Sequence, residues 1–391
     1  MWRYFDVLPL FNKENIVTAY EGAVPVDRWH FLEALAENYF CIQCQVFAHR
    51  HDNNYATGSL KDLSASVIAS VLREEGIKNY VMASTGNMAV AQARYLAAAD
   101  IDVYSFIPEI STPFQEAEIA CFGQTVYRVA GDYANAKKMA AEFALKNHIL
   151  LSAGSLDPMR LEAKRTMAFE WKLLLPQFPS VYIQAVSGGT GPLGIWKGCS
   201  ELLDAGLIKR MPRLILIQTS KCAPMAAAWK QAVKDGFPNG WADNYPKYPN
   251  PATEIPTLAT GDPTVYPILA PKVLQSGGEI LSFPEQLAPM AASLVAFEKG
   301  VRIGPAASVA VGGFLNALKA RRVKNGDIVL INIGEGIRRD PPYLLKMINY
   351  SSKFVKTVVD CQEKRRNTYR ECLYRLLRDH FPVAVGSQQE R

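Results

Sequence analysis

From about residue 79 onward, short apolar runs alternate with longer stretches whose apolar residues recur at helical spacing, the pattern of parallel strands joined by crossover helices. The runs predict strands at residues 80–83, 103–107, 125–129, 181–186, 214–218, 279–283 and 327–333. Helices are predicted between nearly all of them, over 88–98, 133–147, 161–175, 192–205, 284–299 and 306–321. Upstream, residues 62–73 read as a helix of Ala, Ser, Val, Ile and Leu, and 40–47 alternates like a strand. The fold class is α/β, with no internal repeat and no low-complexity segment. Residues 236–263, rich in Pro, Gly, Asn and Tyr, read as a long surface excursion. After residue 352 the alternation stops, and 354–380 carries apolar residues at mixed helical spacing among basic ones, a pattern for amphipathic helices that pack on the body or on another subunit.

The chain has 391 residues, 49% hydrophobic and 20% charged, which fits a globular protein of two domains. The formal charge of +6 is unevenly spread: residues 353–391 hold nine Lys and Arg against five Asp and Glu, a share of +4 that leaves +2 for the rest. A nearly neutral body does not make a basic groove for nucleic acid. The beginning of the sequence has no charged lead before an apolar run, and no apolar stretch reaches bilayer length, so a cytoplasmic protein without membrane contact is expected. Seven scattered cysteines suit reduced thiols. Cys41 and Cys44 followed by His49 and His51 raise a zinc reading. The short spacing between the pairs and the strand-like alternation favour ordinary cysteines, and no metal is expected.

Lys61 stands at the start of a helix, after the turn Tyr55-Ala56-Thr57-Gly58-Ser59-Leu60. The positive end of a helix dipole favours the neutral form of an amine there, which makes Lys61 a candidate nucleophile as well as a candidate surface lysine. Three loops after predicted strands give it context. Ser84-Thr85-Gly86-Asn87 offers backbone N–H groups, two hydroxyls and an amide at the mouth of a parallel sheet, and reads equally as a helix cap. Ser187-Gly188-Gly189-Thr190-Gly191 opens a helix, lacks the lysine of a nucleotide P-loop and the spacing of a dinucleotide fingerprint, and forms a cup for one phosphate. Ile331-Asn332-Ile333-Gly334-Glu335-Gly336 closes the last strand; Glu335 reads either as a solvent-facing acid or as a partner for a ring nitrogen. An amine, an asparagine loop and a one-phosphate cup meet the requirements of pyridoxal 5'-phosphate.

Thr57-Gly58-Ser59-Leu60-Lys61-Asp62 resembles the T-G-S-F-K-D segment of fold-type-II pyridoxal phosphate enzymes, and of threonine synthases in particular. The resemblance extends through Ser84 to Asn87, Ser155-Leu156-Asp157-Pro158-Met159-Arg160-Leu161-Glu162, the glycine cup with Trp196-Lys197-Gly198, Gly304 to Ser308 and Gly334-Glu335-Gly336, and covers about residues 15 to 345. It implies two three-layer α/β/α domains with mostly parallel sheets and the cofactor in the cleft between them: 1–52 with 156–350 as the large domain, 53–155 as the small one, and 351–391 as a basic helical extension. It implies Lys61 as the Schiff-base lysine, Asn87 as partner of the ring's phenolic oxygen, and residues 187–191 as the phosphate cup. Ser84, Thr85 and Gly86 would close on the substrate carboxylate, with Asp157 and Arg160 also at the substrate. The expected activity is elimination and addition at the β or γ carbon of a small amino acid, by a lyase or transferase, with a homodimer as the expected assembly. A cysteate-synthase-like replacement enzyme, a hydroxyamino-acid dehydratase and a non-catalytic cofactor-binding protein are the alternatives. Four positions depart from the family pattern: Ile333 stands where a hydroxyl residue is usual, Asp157 where threonine synthases have Asn, Leu60 for Phe, and Gly304 for a common Glu. An acid at 157 is expected to repel the phosphate of O-phosphohomoserine.

Overall fold

The computed structural model describes residues 1–347 together with 371, 374, 375 and 378–381. Within them the strands are β1 (Val26–Arg28), β2 (Gln45–His49), β3 (Asn79–Ala83), β4 (Asp102–Pro108), β5 (Thr125–Val129), β6 (Leu150–Leu151), β7 (Val181–Ala185), β8 (Arg213–Thr219), β9 (Glu279–Phe283) and β10 (Ile328–Asn332). A six-stranded sheet runs in the order β1-β2-β10-β7-β8-β9 and a four-stranded sheet in the order β5-β4-β3-β6. Every pairing is parallel except β1 with β2. The strands predicted from the apolar runs all form, with ends that differ by a residue or two.

Buried strands of a parallel sheet are apolar on both faces, and β10 is buried at every position. Ile183, Ile217 and Val329 pack into one core, while Tyr182, Leu216 and Leu330 pack into a second on the opposite face. Across the four-stranded sheet, Tyr80 and Met82 join a third core and Val81 a fourth. Each such side chain withdrawn from water contributes roughly 1.5–3 kcal/mol, so these layers fix the frame that holds the loops.

One reading is corrected. Residues 40–47 do not form a single strand: helix His30–Phe40 ends at Phe40, and Cys41 takes the left-handed conformation at φ 53° with its N–H on the Glu37 carbonyl at 3.0 Å. Only from Gln45 does the chain enter β2, in register with β10. Cys41 is exposed, whereas His49 and His51 are buried against each other, with the Trp171 indole N–H donated to His49 Nδ1 at 3.0 Å.

The excursion at 236–263 packs Phe237 and Trp241 against Trp229 edge to face. It reaches the four-stranded layer through the Asn250 N–H, which donates to Asp132 Oδ2 at 3.2 Å. The expected helical tail at 351–391 lies mostly outside the described residues, although Phe381 is buried in the core that contains Leu35. Among the described residues, no helix is long and apolar enough to cross a membrane.

Candidate active site

Two segments far apart in sequence build the floor of the cleft between the sheets. The Leu60 N–H donates to the Gly334 carbonyl at 2.9 Å, the Gly336 N–H to the Gly58 carbonyl at 3.0 Å, and Ser59 pairs antiparallel with Glu335. A glycine at 334 suits this approach, because a Cβ there would lie 2.6 Å from Leu60 Cδ2 and push that side chain aside. The turn before Lys61 is fixed by Asp62, whose carboxylate accepts the Thr57 hydroxyl at 2.5 Å and the Thr57 N–H at 2.9 Å. Burial, the largest influence, raises the Asp62 carboxyl to about 6, and the Thr57 bonds oppose the rise.

Lys61 begins helix Lys61–Glu74 and lines the cavity with Ser84, Thr85, Asn87, Arg160, Ser187 to Gly191 and Glu335. Burial lowers its ammonium to about 8, with Glu335 raising it and Arg160 lowering it further. Desolvation thus favours the neutral amine that the helix dipole was expected to favour. Gly86 and Asp157 are not among the residues that line the cavity. The Gly86 N–H instead donates to Ser84 Oγ at 3.1 Å, and its φ of 137° with the Gln115 amide only 2.0 Å from a hypothetical Cβ excludes any side chain. Asp157 caps helix Pro158–Leu174 by accepting the Met159 N–H at 2.9 Å.

Glu335 is not a solvent-facing acid. It is buried, Oε1 accepts the Ala306 N–H at 2.7 Å, and Oε2 accepts the side-chain amide of Asn87. The cup at 187–191 turns through Gly189 at φ 88° into helix Thr190–Asp204, and a Cβ at Gly188 would strike Ser155 Oγ at 2.3 Å. Ser187 Oγ and Thr260 Oγ1, 2.5 Å apart, tie the cup to the excursion.

The wall also includes Lys164, Tyr133 and Gln184, which the sequence reading does not single out, and Asn332, which it places in the closing loop without a role. Lys164 is one helical turn beyond Arg160 on helix Pro158–Leu174, a spacing that alone could have flagged it. Its ammonium is pushed well below the ordinary lysine range by burial, then by Lys61 and Arg160. Asn332 donates to the Tyr182 hydroxyl at 2.7 Å, which donates to Gln184 Oε1 at 2.7 Å. Asn332 Oδ1 and Asn87 Oδ1 are buried without a hydrogen-bond partner. Such orphaned acceptors, a glycine cup at a helix N-terminus and a desolvated amine fit pyridoxal phosphate.

Comparison with known proteins agrees with this geometry. Residues 21–334 match the sequence profile of the family described as pyridoxal-phosphate dependent enzyme. A threonine synthase of Methanocaldococcus jannaschii is 28% identical over 87% of this chain and 81% of its own. A cysteate synthase of Methanothrix thermoacetophila is 29% identical over 72% of this chain and 68% of its own. Among solved structures, maize serine racemase superposes with a TM-score of 0.66 at 16% identity, covering 83% of this chain and 92% of its own. Cysteine synthase from Entamoeba histolytica gives 0.65 at 16% identity, over 90% and 93%.

Proposed function

Because this chain belongs to the pyridoxal-phosphate dependent enzyme family, we propose that it is a threonine-synthase-like lyase or replacement enzyme that eliminates a β or γ group from a small amino acid and adds a nucleophile in its place. The observation that carries this reading is the Lys61 amine, lowered to about 8 by burial, in one cavity with a glycine cup and Asn87. When bound, the cofactor supplies an electron sink for charge that develops at the amino acid's Cα.

The chain's own groups have separable tasks. Lys61 would hold the cofactor and then take and return a proton at Cα, for which an amine lowered to about 8 is suited. Ser187, Gly188, Gly189, Thr190 and Gly191 would hold the phosphate with backbone N–H groups at a helix N-terminus. Asn87 would hold the ring oxygen, and Ser84 and Thr85 would bind the substrate carboxylate. Arg160 Nε, buried without a hydrogen-bond partner, is free to take an anionic group on the substrate side chain.

A cysteate-synthase-like replacement is the second reading, supported by the relatives of that name at comparable identity. The free thiols of the described cysteines support a reducing, cytoplasmic setting, and a homodimer is part of the proposal. Incubating the holoprotein with O-phosphohomoserine, O-phosphoserine, serine and threonine, and following both the visible spectrum and phosphate release, tests the proposal. Turnover of one of the phosphorylated amino acids is expected, and spectral silence with all four would overturn the lyase reading.

A further inference from the structure

Glu335 and Asn87 belong to different layers. Asn87 opens helix Asn87–Ala98 after β3 of the four-stranded sheet, and Glu335 follows β10 of the six-stranded sheet. Their side chains meet across the cleft, where the Asn87 amide N–H donates to Glu335 Oε2. A carboxylate only accepts, so this bond sets which end of the amide points at Glu335. It leaves the second N–H of that amide and the unpartnered Oδ1 for whatever occupies the cavity.

Glu335 itself is held on every side. Its Oε1 takes the Ala306 N–H at 2.7 Å, in the first turn of helix Pro305–Lys319, where the helix dipole favours an anion. Its own carbonyl accepts the Gly304 N–H at 3.0 Å, and its backbone pairs with Ser59 two residues before Lys61. The carboxylate also needs position 304 to be empty. A Cβ on Gly304 would lie 2.8 Å from the Gly336 carbonyl oxygen, 2.9 Å from Glu335 Cγ and 3.1 Å from Oε1. Burial raises the Glu335 carboxyl, and the bonds from Ala306 and Asn87 counter that rise.

We propose that Glu335 is a positioning residue that acts through Asn87: its buried carboxylate, seated over Gly304 and anchored at Ala306, locks the Asn87 amide in the orientation that grips the cofactor ring from the opposite layer. This assignment rests on the pyridoxal phosphate reading of the site. It differs from the ring-nitrogen role that loop position alone suggested, because the carboxylate is already bonded to Asn87 and Ala306.

The test is a cycle of Glu335→Ala, Asn87→Ala and the double variant in the full chain, with cofactor affinity measured at equilibrium from the visible band and the pH titration of that band recorded for each. Each single variant is expected to weaken cofactor binding about tenfold, the scale of one charge-assisted hydrogen bond, and the double variant no more than Asn87→Ala alone. Losses that multiply in the double variant would overturn the proposal. Should Glu335→Ala not fold, the cycle is run with Glu335→Gln, whose single carbonyl oxygen cannot serve both Ala306 and Asn87. An affinity and a titration unchanged in Glu335→Gln would likewise overturn it. A wild-type protein that binds no pyridoxal phosphate would sink the functional reading itself, whereas a wild type that binds while the two losses multiply sinks only the role of Glu335.

Discussion

Arg160 Nε stands 4.0 Å from Asp157 Oδ2, beyond hydrogen-bond reach, while the other oxygen of Asp157 is engaged by the Met159 N–H at 2.9 Å. The acid is therefore a helix cap that screens the arginine weakly, and the guanidinium keeps a buried N–H for the cavity. Asn caps a helix as well as Asp does, so Asp157→Asn is expected to change stability by less than about 1 kcal/mol. It is also expected to tighten binding of O-phosphohomoserine or O-phosphoserine by removing a negative charge behind Arg160. Thermal unfolding and spectral titration of the variant check both halves; looser binding of the phosphorylated amino acids would contradict the placement.

Lys164 is buried among Lys61 and Arg160, and the acid that acts on it is the already engaged Asp157. An uncompensated buried amine costs stability whenever it must be charged. Its folded-state value lies below the ordinary 10.5, so the unfolded chain binds the extra proton. Stability therefore rises with pH toward 10.5 and falls as pH drops below it, until the folded-state value is reached. Lys164→Met should stabilise the protein by about 1 kcal/mol near neutral pH and flatten that rise. Urea unfolding at pH 7 and pH 9.5 measures it, and a variant less stable at both values with an unchanged slope would be contrary.

Gly334→Ala places a methyl group 2.6 Å from Leu60 Cδ2, in the seam that brings Glu335 to Lys61. Overpacking of this kind costs about 1–3 kcal/mol. Trimming the neighbour should relieve it, so the Leu60→Ala and Gly334→Ala double variant is expected to be more stable than the sum of the single losses. Thermal melts of the three variants decide it. Simple additivity would mean that the two residues do not share the seam.

The contrast between Lys61 and Lys164 marks how far the sequence could be read. Lys61 was legible because a small-residue turn, a helix start and the phosphate cup each have a local signature. The strands were legible for the same reason, since a parallel strand such as β10 is apolar throughout. Lys164 carries no local signal beyond its spacing from Arg160, and Asn332 stood in the closing loop without a role, because both reach the cavity only when separate elements pack. The strand reading of 40–47 failed at Cys41, where a left-handed residue stops a helix without the glycine that usually announces it. Glu335 was noticed, but its partner was not, since Asn87 lies on the other sheet and only the folded cleft joins them.

The central claim is that Lys61, and not its neighbour Lys164, joins the cofactor. Reducing the pyridoxal phosphate-loaded protein with borohydride and mapping the modified lysine by mass spectrometry tests it directly. The label is expected on Lys61, with the visible band lost in Lys61→Ala and retained in Lys164→Met. A label on Lys164, or a band that survives Lys61→Ala, would contradict it.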